Sequence, residues 1–521
     1  MQVKKDALPS VSRRTFIAGA CTAAGLAALS RISLVQPALA YEGGTSMTVA
    51  WTSNQGDYSL DPAYNYMGWQ GSYLGIYEQL YRINGSFEPE AFLAESAEPN
   101  EDYSVWTITI RGGITFQNGN PCDAAAVKAS LERAIKMNPR CEKALGVASI
   151  EADGQTLTVT LEVPNVGFAN ELCEPVTSII DTQSGTADEM PVGTGPFAME
   201  SVDAMGNVEL DAYADYWQGK PAVGHVTALY ITDDASKVAA LQSGEVQALM
   251  NIGDDQLPLF QNNTDFSVNQ TNQARSHMLY FNMRNETMQD PLVRQAICKC
   301  VNRDGYVNAI YGGCAEAAPG IFPAESGYAD GVSQETYDLD GARALLEQAG
   351  YTEVDGHLEK DGQPLTLTFC TYVANAALPK VCEVMASDLA SIGVTVNIEV
   401  AEKIAERLGA DDWHVGTMAY STLPTGNPST YLNAVVKSDG GANYGSYANE
   451  EVDALLHELA ETADHDERAA IVEQVQNIAL GEWGYCYIVH ALVNDVCASN
   501  VADLAMQGQY DWLNYKMSIS E

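Results

Sequence analysis

The chain has 521 residues, 46% of them hydrophobic, with 69 acidic against 27 basic side chains and a formal net charge of −42. That length predicts two or more domains, each with its own core. The charge excludes capture of nucleic acid or anionic lipid by simple attraction.

The first forty residues read as a targeting segment. Ser12-Arg13-Arg14-Thr15-Phe16 precedes an Ala-rich apolar run ending near Leu29, and Ala38-Leu39-Ala40 offers a small-residue cleavage site. Paired arginines before a short, mildly apolar run predict a twin-arginine signal cut after Ala40, and not a spanning helix. Cys21 follows Arg14 too closely to read as a lipid acceptor. The expected location is periplasmic, extracellular or at the cell surface, with no membrane insertion after cleavage. Ten further cysteines, from Cys122 to Cys497, sit in apolar segments without framework or zinc spacing, so buried free thiols are expected.

A strand is predicted over 47–51. Leu60-Asp61-Pro62 follows, then a helix carrying Leu74, Ile76, Tyr77 and Leu80. Between them lies the aromatic and amide run Tyr64-Asn65-Tyr66-Met67-Gly68-Trp69-Gln70. The stretch 105–111 alternates as a strand, Gln117-Asn118 reads as a turn, and Asp123 caps a helix with Val127, Leu131, Ala134 and Ile135 at helical spacing. A hairpin is predicted over 148–163. Two glycines and two prolines within 191–197 force a tight turn into a second hairpin over 197–211. Further on, Gly244 closes a helix, 278–283 forms a strand, and Arg294 sits where a salt bridge to Asp290 is expected. Strand, helix, Gly393 and strand over 365–398 make a βαβ unit, so part of the sheet is parallel. Helices are predicted over 450–463 and 466–480. Neither an HExxH nor a G-x-S-x-G pattern occurs, and Asp411-Asp412-Trp413-His414 reads as a loop ahead of a strand.

Several of these stretches recur in one order. They are Leu60-Asp61-Pro62 with Tyr77-Glu78-Gln79-Leu80, WTITIRGGITFQNGNPCDAAAVKASLERAI at 106–135, PVGTGPF at 191–197, ADYWQGKPAVGHVTALYI at 214–231, and Asn282 with Arg294-Gln295-Ala296 and Arg303. The series resembles the extracytoplasmic solute-binding proteins of ABC importers, the peptide and nickel class of family 5. The resemblance implies an α/β, two-lobe periplasmic-binding-protein-like fold of type II. Lobe I is then 41–272 with an inserted subdomain at about 85–192, lobe II is 273–493, and 494–521 return to lobe I. It further implies a monomer that captures a ligand between closing lobes and delivers it to an ABC permease and ATPase, without catalysis or cofactor.

The expected cleft lies between Tyr64, Tyr66, Met67, Trp69 and Gln70 on lobe I and Tyr420, Ser421, Thr422 and Asn427 on lobe II. Neutral hydrogen bonds and stacking would orient the ligand there. Peptide-binding members hold the α-ammonium with an acid, yet no carboxylate lies between Tyr420 and Pro428. Nickel-type members bind a small chelate, for which His277 and His414 are the histidine candidates. Peptide and metal chelate both stay open. A surface or sensory binding protein of the same fold, and a secreted metal-dependent hydrolase, are the competing readings.

Overall fold

The computed structural model describes residues 44–52, 59–65, 68–185, 189–254, 256–504 and 512–520. The targeting segment, Cys21, Tyr66 and Met67 lie outside them. Among the described residues, no helix is long and apolar enough to cross a membrane, and all ten cysteines are free and buried.

Two long antiparallel strands, Phe266–Phe281 and Tyr485–Ala498, organise the molecule. They run through the middle of an 11-stranded sheet. On one flank Val415–Ser421 adds antiparallel, and Thr366–Tyr372 and Thr395–Ala401 extend the sheet in parallel. On the other flank come Ala248–Leu249, Thr45–Trp51 and Val223–Tyr230, closed by the hairpin Phe197–Val202/Val208–Ala212. One core gathers Leu279, Phe281, Phe369, Leu389 and Val415. Another gathers Met47, Val49, Phe197 and Val226 with Trp512, Leu513 and Met517 from the chain's end. The boundaries 272/273 and 493/494 expected from the sequence fall inside the two long strands.

The pairing of those strands is interrupted twice, between Asn272 and Arg275 and between His277 and Met278. At the first interruption Ala274 adopts φ 51, the left-handed region that disfavours a side chain. Its carbonyl accepts from the Thr422 amide at 2.8 Å and from Thr422 Oγ1 at 3.1 Å, which holds the kink in place.

A separate four-stranded antiparallel sheet orders Ala94–Pro99, Val105–Ile110, Thr156–Leu161 and Val147–Asp153. The helix Ala124–Met137 packs on it, N-capped by Asp123 as expected. The sequence signatures converge where this unit meets the large sheet. Glu78 is buried and accepts from Thr194 Oγ1 at 2.8 Å, the Tyr216 hydroxyl at 2.6 Å and Trp217 Nε1 at 3.0 Å. Three distant motifs thus share one carboxylate. Asp61 takes a two-pronged bond from Arg133 at 2.9 and 2.7 Å. Gln117 donates to the carbonyls of Ile76, Gly195 and Phe197 and accepts from the Gly193 amide, so it bolts the turn where a simple turn residue was expected. A Cβ at Gly193 or Gly195 would come within 2.2 Å of the carbonyl oxygens of Ile76 or Gly75. Glycine is needed there for close backbone approach.

Three local expectations are corrected. The helix after Asp61-Pro62 spans only Gly68–Tyr73; Gly75 then takes φ 66, which turns the chain out of the helix before Leu80. Arg294 pairs with no carboxylate among the described residues. It grips the carbonyls of Met288, Gln289, Glu482 and Trp483, while Asp290 caps its own helix. The strand expected at 278–283 begins twelve residues earlier, at Phe266.

Candidate functional site

A cleft of about 680 Å³ opens over the long strands. Its floor carries Gln273, Arg275, His277 and Ala491–Val493. One wall holds Thr52, Gln70, Tyr73 and 250–254, and the opposite wall holds Tyr372, Asn375 and Lys380. Gln273, Arg275 and His277 are spaced two apart along the strand, and all three line the floor, in keeping with the period of two that puts alternate side chains on one face.

Arg275 and Lys380 are exposed. Among the described residues neither has a carboxylate partner, whereas the acids of the cleft are engaged. Asp234 pairs with Lys237 at 3.0 Å and accepts from the Gly253 amide at 3.0 Å. Asp254 accepts from Asn494 Nδ2 at 2.9 Å. Asp495, beneath the floor, accepts from the Asn251 amide at 2.9 Å, and burial pushes its carboxyl up to about 7.

His277 is buried, with Nδ1 2.6 Å from the Tyr311 hydroxyl and Nε2 2.8 Å from Asn375 Nδ2. An amide nitrogen only donates, so Nε2 is the acceptor and the ring proton sits on Nδ1. Burial pulls its pKa down to about 3, keeping the ring neutral. The Asn375 side chain is fixed in turn, since its Oδ1 accepts from the amides of Ala377 and Leu378 at the helix start. Gln70 Oε1 is buried without a hydrogen-bond donor among the described residues.

The expected site residues separate into groups. Gln70 and His277 line the cleft. Tyr64 is exposed. Trp69 lies under the Arg140 guanidinium, 5.0 Å from ring centroid to Cζ. Tyr420 packs edge-on to Tyr431 at 5.9 Å, and Ser421 ends its strand opposite Arg275. His414 does not line the cleft; its Nδ1 accepts from the Thr368 amide at 2.9 Å within the sheet.

Thr422 and Asn427 belong to a seam. The loop they bound docks on 87 and 167–171 of the smaller unit. Asn170 Nδ2 donates to the Thr425 carbonyl at 2.9 Å, and Asn427 bonds the buried Glu171, whose carboxyl burial raises to about 8. Arg468 holds Asn427 Oδ1 from behind at 2.9 Å.

Residues 88–443 match the family described as bacterial extracellular solute-binding proteins, family 5 Middle. A nickel ABC transporter structure from Bacillus halodurans is 32% identical, with a TM-score of 0.82 over 91% of this chain and 100% of that one. The nickel-binding protein NikA of Staphylococcus aureus is 28% identical over 80% of this chain and 83% of its own. A structure of NikA from Staphylococcus aureus in complex with Ni(L-His)2 has a TM-score of 0.74 at 26% identity over 92% of this chain and 100% of that one. The glutathione-binding protein GsiB of Salmonella typhimurium is 29% identical over 77% of this chain and 81% of its own.

Proposed function

The chain belongs to the bacterial extracellular solute-binding proteins of family 5, and from that membership we propose that it captures a compact, carboxylate-bearing metal chelate between its lobes and passes it to an ABC permease. The observation that carries the reading is the pair of exposed cations, Arg275 on the floor and Lys380 on one wall, lacking carboxylate partners among the described residues. In a chain with 69 acids and 27 bases, cations left unpaired in a cleft favour an anionic group there. A ligand whose carboxylate bridges these two lobe II cations while another of its groups bonds Gln70 on lobe I contacts both lobes at once, so it stabilises the closed form over the open one.

Gln70 Oε1 supplies an acceptor for a ligand N–H, and neutral His277 with Asn375 adds hydrogen bonding without charge. The metal is cargo, held by the small molecule that enters with it. A peptide α-ammonium fits less well, because Asp234 and Asp254 are already engaged. The lobe limits proposed are 41–272 with 494–521, and 273–493, with the subdomain at about 85–192. Trp512 and Leu513 in the core of Met47 and Val49 support the return of the chain's end.

Calorimetric titration with Ni(L-His)2 and with glutathione tests the reading. Arg275→Ala is expected to weaken binding of the chelate by about 1.5–3 kcal/mol, the scale of a hydrogen bond to a charged group. Equal affinity in wild type and variant, or co-purification of a ligand without a carboxylate, sinks it.

A further inference from the structure

Far from the cleft, three adjacent strands bring His225, Asp211 and Glu200 together on the outer face of the large sheet. His225 and Ala198 both register against Asp211 from its two neighbouring strands. Val208, Leu210, Val226 and Ala228 turn inward and are buried, so Glu209, Asp211, His225 and Thr227 share the outer face. The register shifts between Met199 and Ser201, which makes Glu200 the extra residue of a bulge. Its carboxylate, an Asp211 oxygen and a His225 nitrogen all lie within 4.8 Å of one another.

The imidazole is also held from behind. Its Nδ1 is 2.8 Å from Asp211 Oδ1, and its Nε2 is 2.9 Å from Glu209 Oε2, which accepts from Thr227 Oγ1 at 2.7 Å. Among the described residues no lysine or arginine pairs with any of the three carboxylates; their basic neighbour is His225.

We propose that this face binds a divalent first-row transition ion through His225 Nδ1, Asp211 and Glu200. On binding, Nδ1 gives up any proton it carries to solvent, and Nε2–H keeps donating to Glu209. A ligating histidine oriented by a carboxylate behind it is the usual support for such a ring. One nitrogen and two carboxylates suit zinc, nickel or cobalt, whereas calcium and magnesium call for oxygens throughout. None of these residues lines the cleft, so this ion is separate from any solute captured there.

The full chain, stripped of metal by a chelator, is titrated with zinc alone and with nickel alone. One ion per chain is expected. His225→Ala and Asp211→Asn should each weaken binding by at least tenfold, and Glu209→Gln by about 10–100-fold, the effect of losing a supporting carboxylate. Arg275→Ala should leave the zinc isotherm unchanged, and His225→Ala should leave uptake of Ni(L-His)2 unchanged. If metal-free His225→Ala melts below wild type, Glu200→Gln on the exposed bulge becomes the deciding variant. No ion bound by wild type, an unchanged isotherm in Glu200→Gln, or loss of the ion in Arg275→Ala overturns the proposal.

Discussion

Glu78 shows how much one side chain can hold. Three donors from two distant segments end on it in a buried setting; Ala would take that acceptor from Thr194 Oγ1 and Trp217 Nε1 and leave the Tyr216 hydroxyl with Gln218 Oε1 at 3.1 Å. Glu78→Ala should destabilise the chain by about 1–3 kcal/mol for each buried neutral donor it leaves unsatisfied, read as a lower urea midpoint. A shift under about 1 kcal/mol, the worth of one ordinary hydrogen bond, contradicts this. The residues of this junction were visible in the sequence as motifs, but their mutual contacts were not. Gln117 looked like a turn residue because spacing cannot reveal that its amide reaches back to Ile76. Arg294 stood near an acid, and proximity in sequence suggested an ion pair where geometry gave carbonyls. Arg275 and Lys380 carry no local signal in the sequence, since nothing local distinguishes a cation that faces a cleft from one that faces water.

Among the elements, those with strong periodicity or caps were legible. The helix after Asp123, the two hairpins and the βαβ unit follow from local pattern. The first part of Phe266–Phe281 was not, because Asn269, Gln270, Asn272 and Gln273 read as loop. Pairing along Tyr485–Ala498 overrides that weak propensity. The aromatic run at 64–70 and the loop at 420–427 looked like two walls of one cleft, yet the loop docks on the smaller unit instead. That seam offers a test of closure. A Cβ on Gly167 would lie 2.5 Å from Asn427 Nδ2, an overpacking worth about 1–3 kcal/mol. Gly167→Ala should therefore destabilise the chain by that amount, read as a lower urea midpoint, and weaken ligand affinity by about 5–150-fold where closing the seam is coupled to binding. Unchanged affinity by calorimetry counts against a closing seam.

For the whole molecule, buried titratable groups set a pH profile with two opposing limbs. Burial holds His277 and His490 neutral, down from 6.5 to about 3 and about 4. The unfolded chain then binds more protons below pH 6.5, so their stabilisation is lost as pH falls through that range. Burial raises Glu171 from 4.5 to about 8 and Asp495 from 3.8 to about 7. Here the native chain binds more protons, and stability is lost as pH rises toward those values. The two effects oppose each other between about pH 4.5 and 6.5. The melting temperature should be highest in that mildly acidic range and fall toward pH 8. Glu171→Gln combined with Asp495→Asn should flatten the upper limb. A melting temperature that climbs from pH 6 to 8 in the wild type rules the account out.

The kink at Ala274 also bears on which insertions and deletions the chain can survive. A one-residue slip in a strand moves every later side chain to the opposite face. Because the ladder is already broken between Asn272 and Arg275, one extra residue there enlarges an existing irregularity and leaves the pairing on either side intact. The same insertion between Leu279 and Tyr280 would turn Tyr280 and Phe281, both fully buried, out of their cores. The two halves of the strand can therefore change length independently at this point. An insertion scan from Asn269 to Phe281, scored by soluble yield, should show tolerance at Gln273 and Ala274 and collapse beyond Met278.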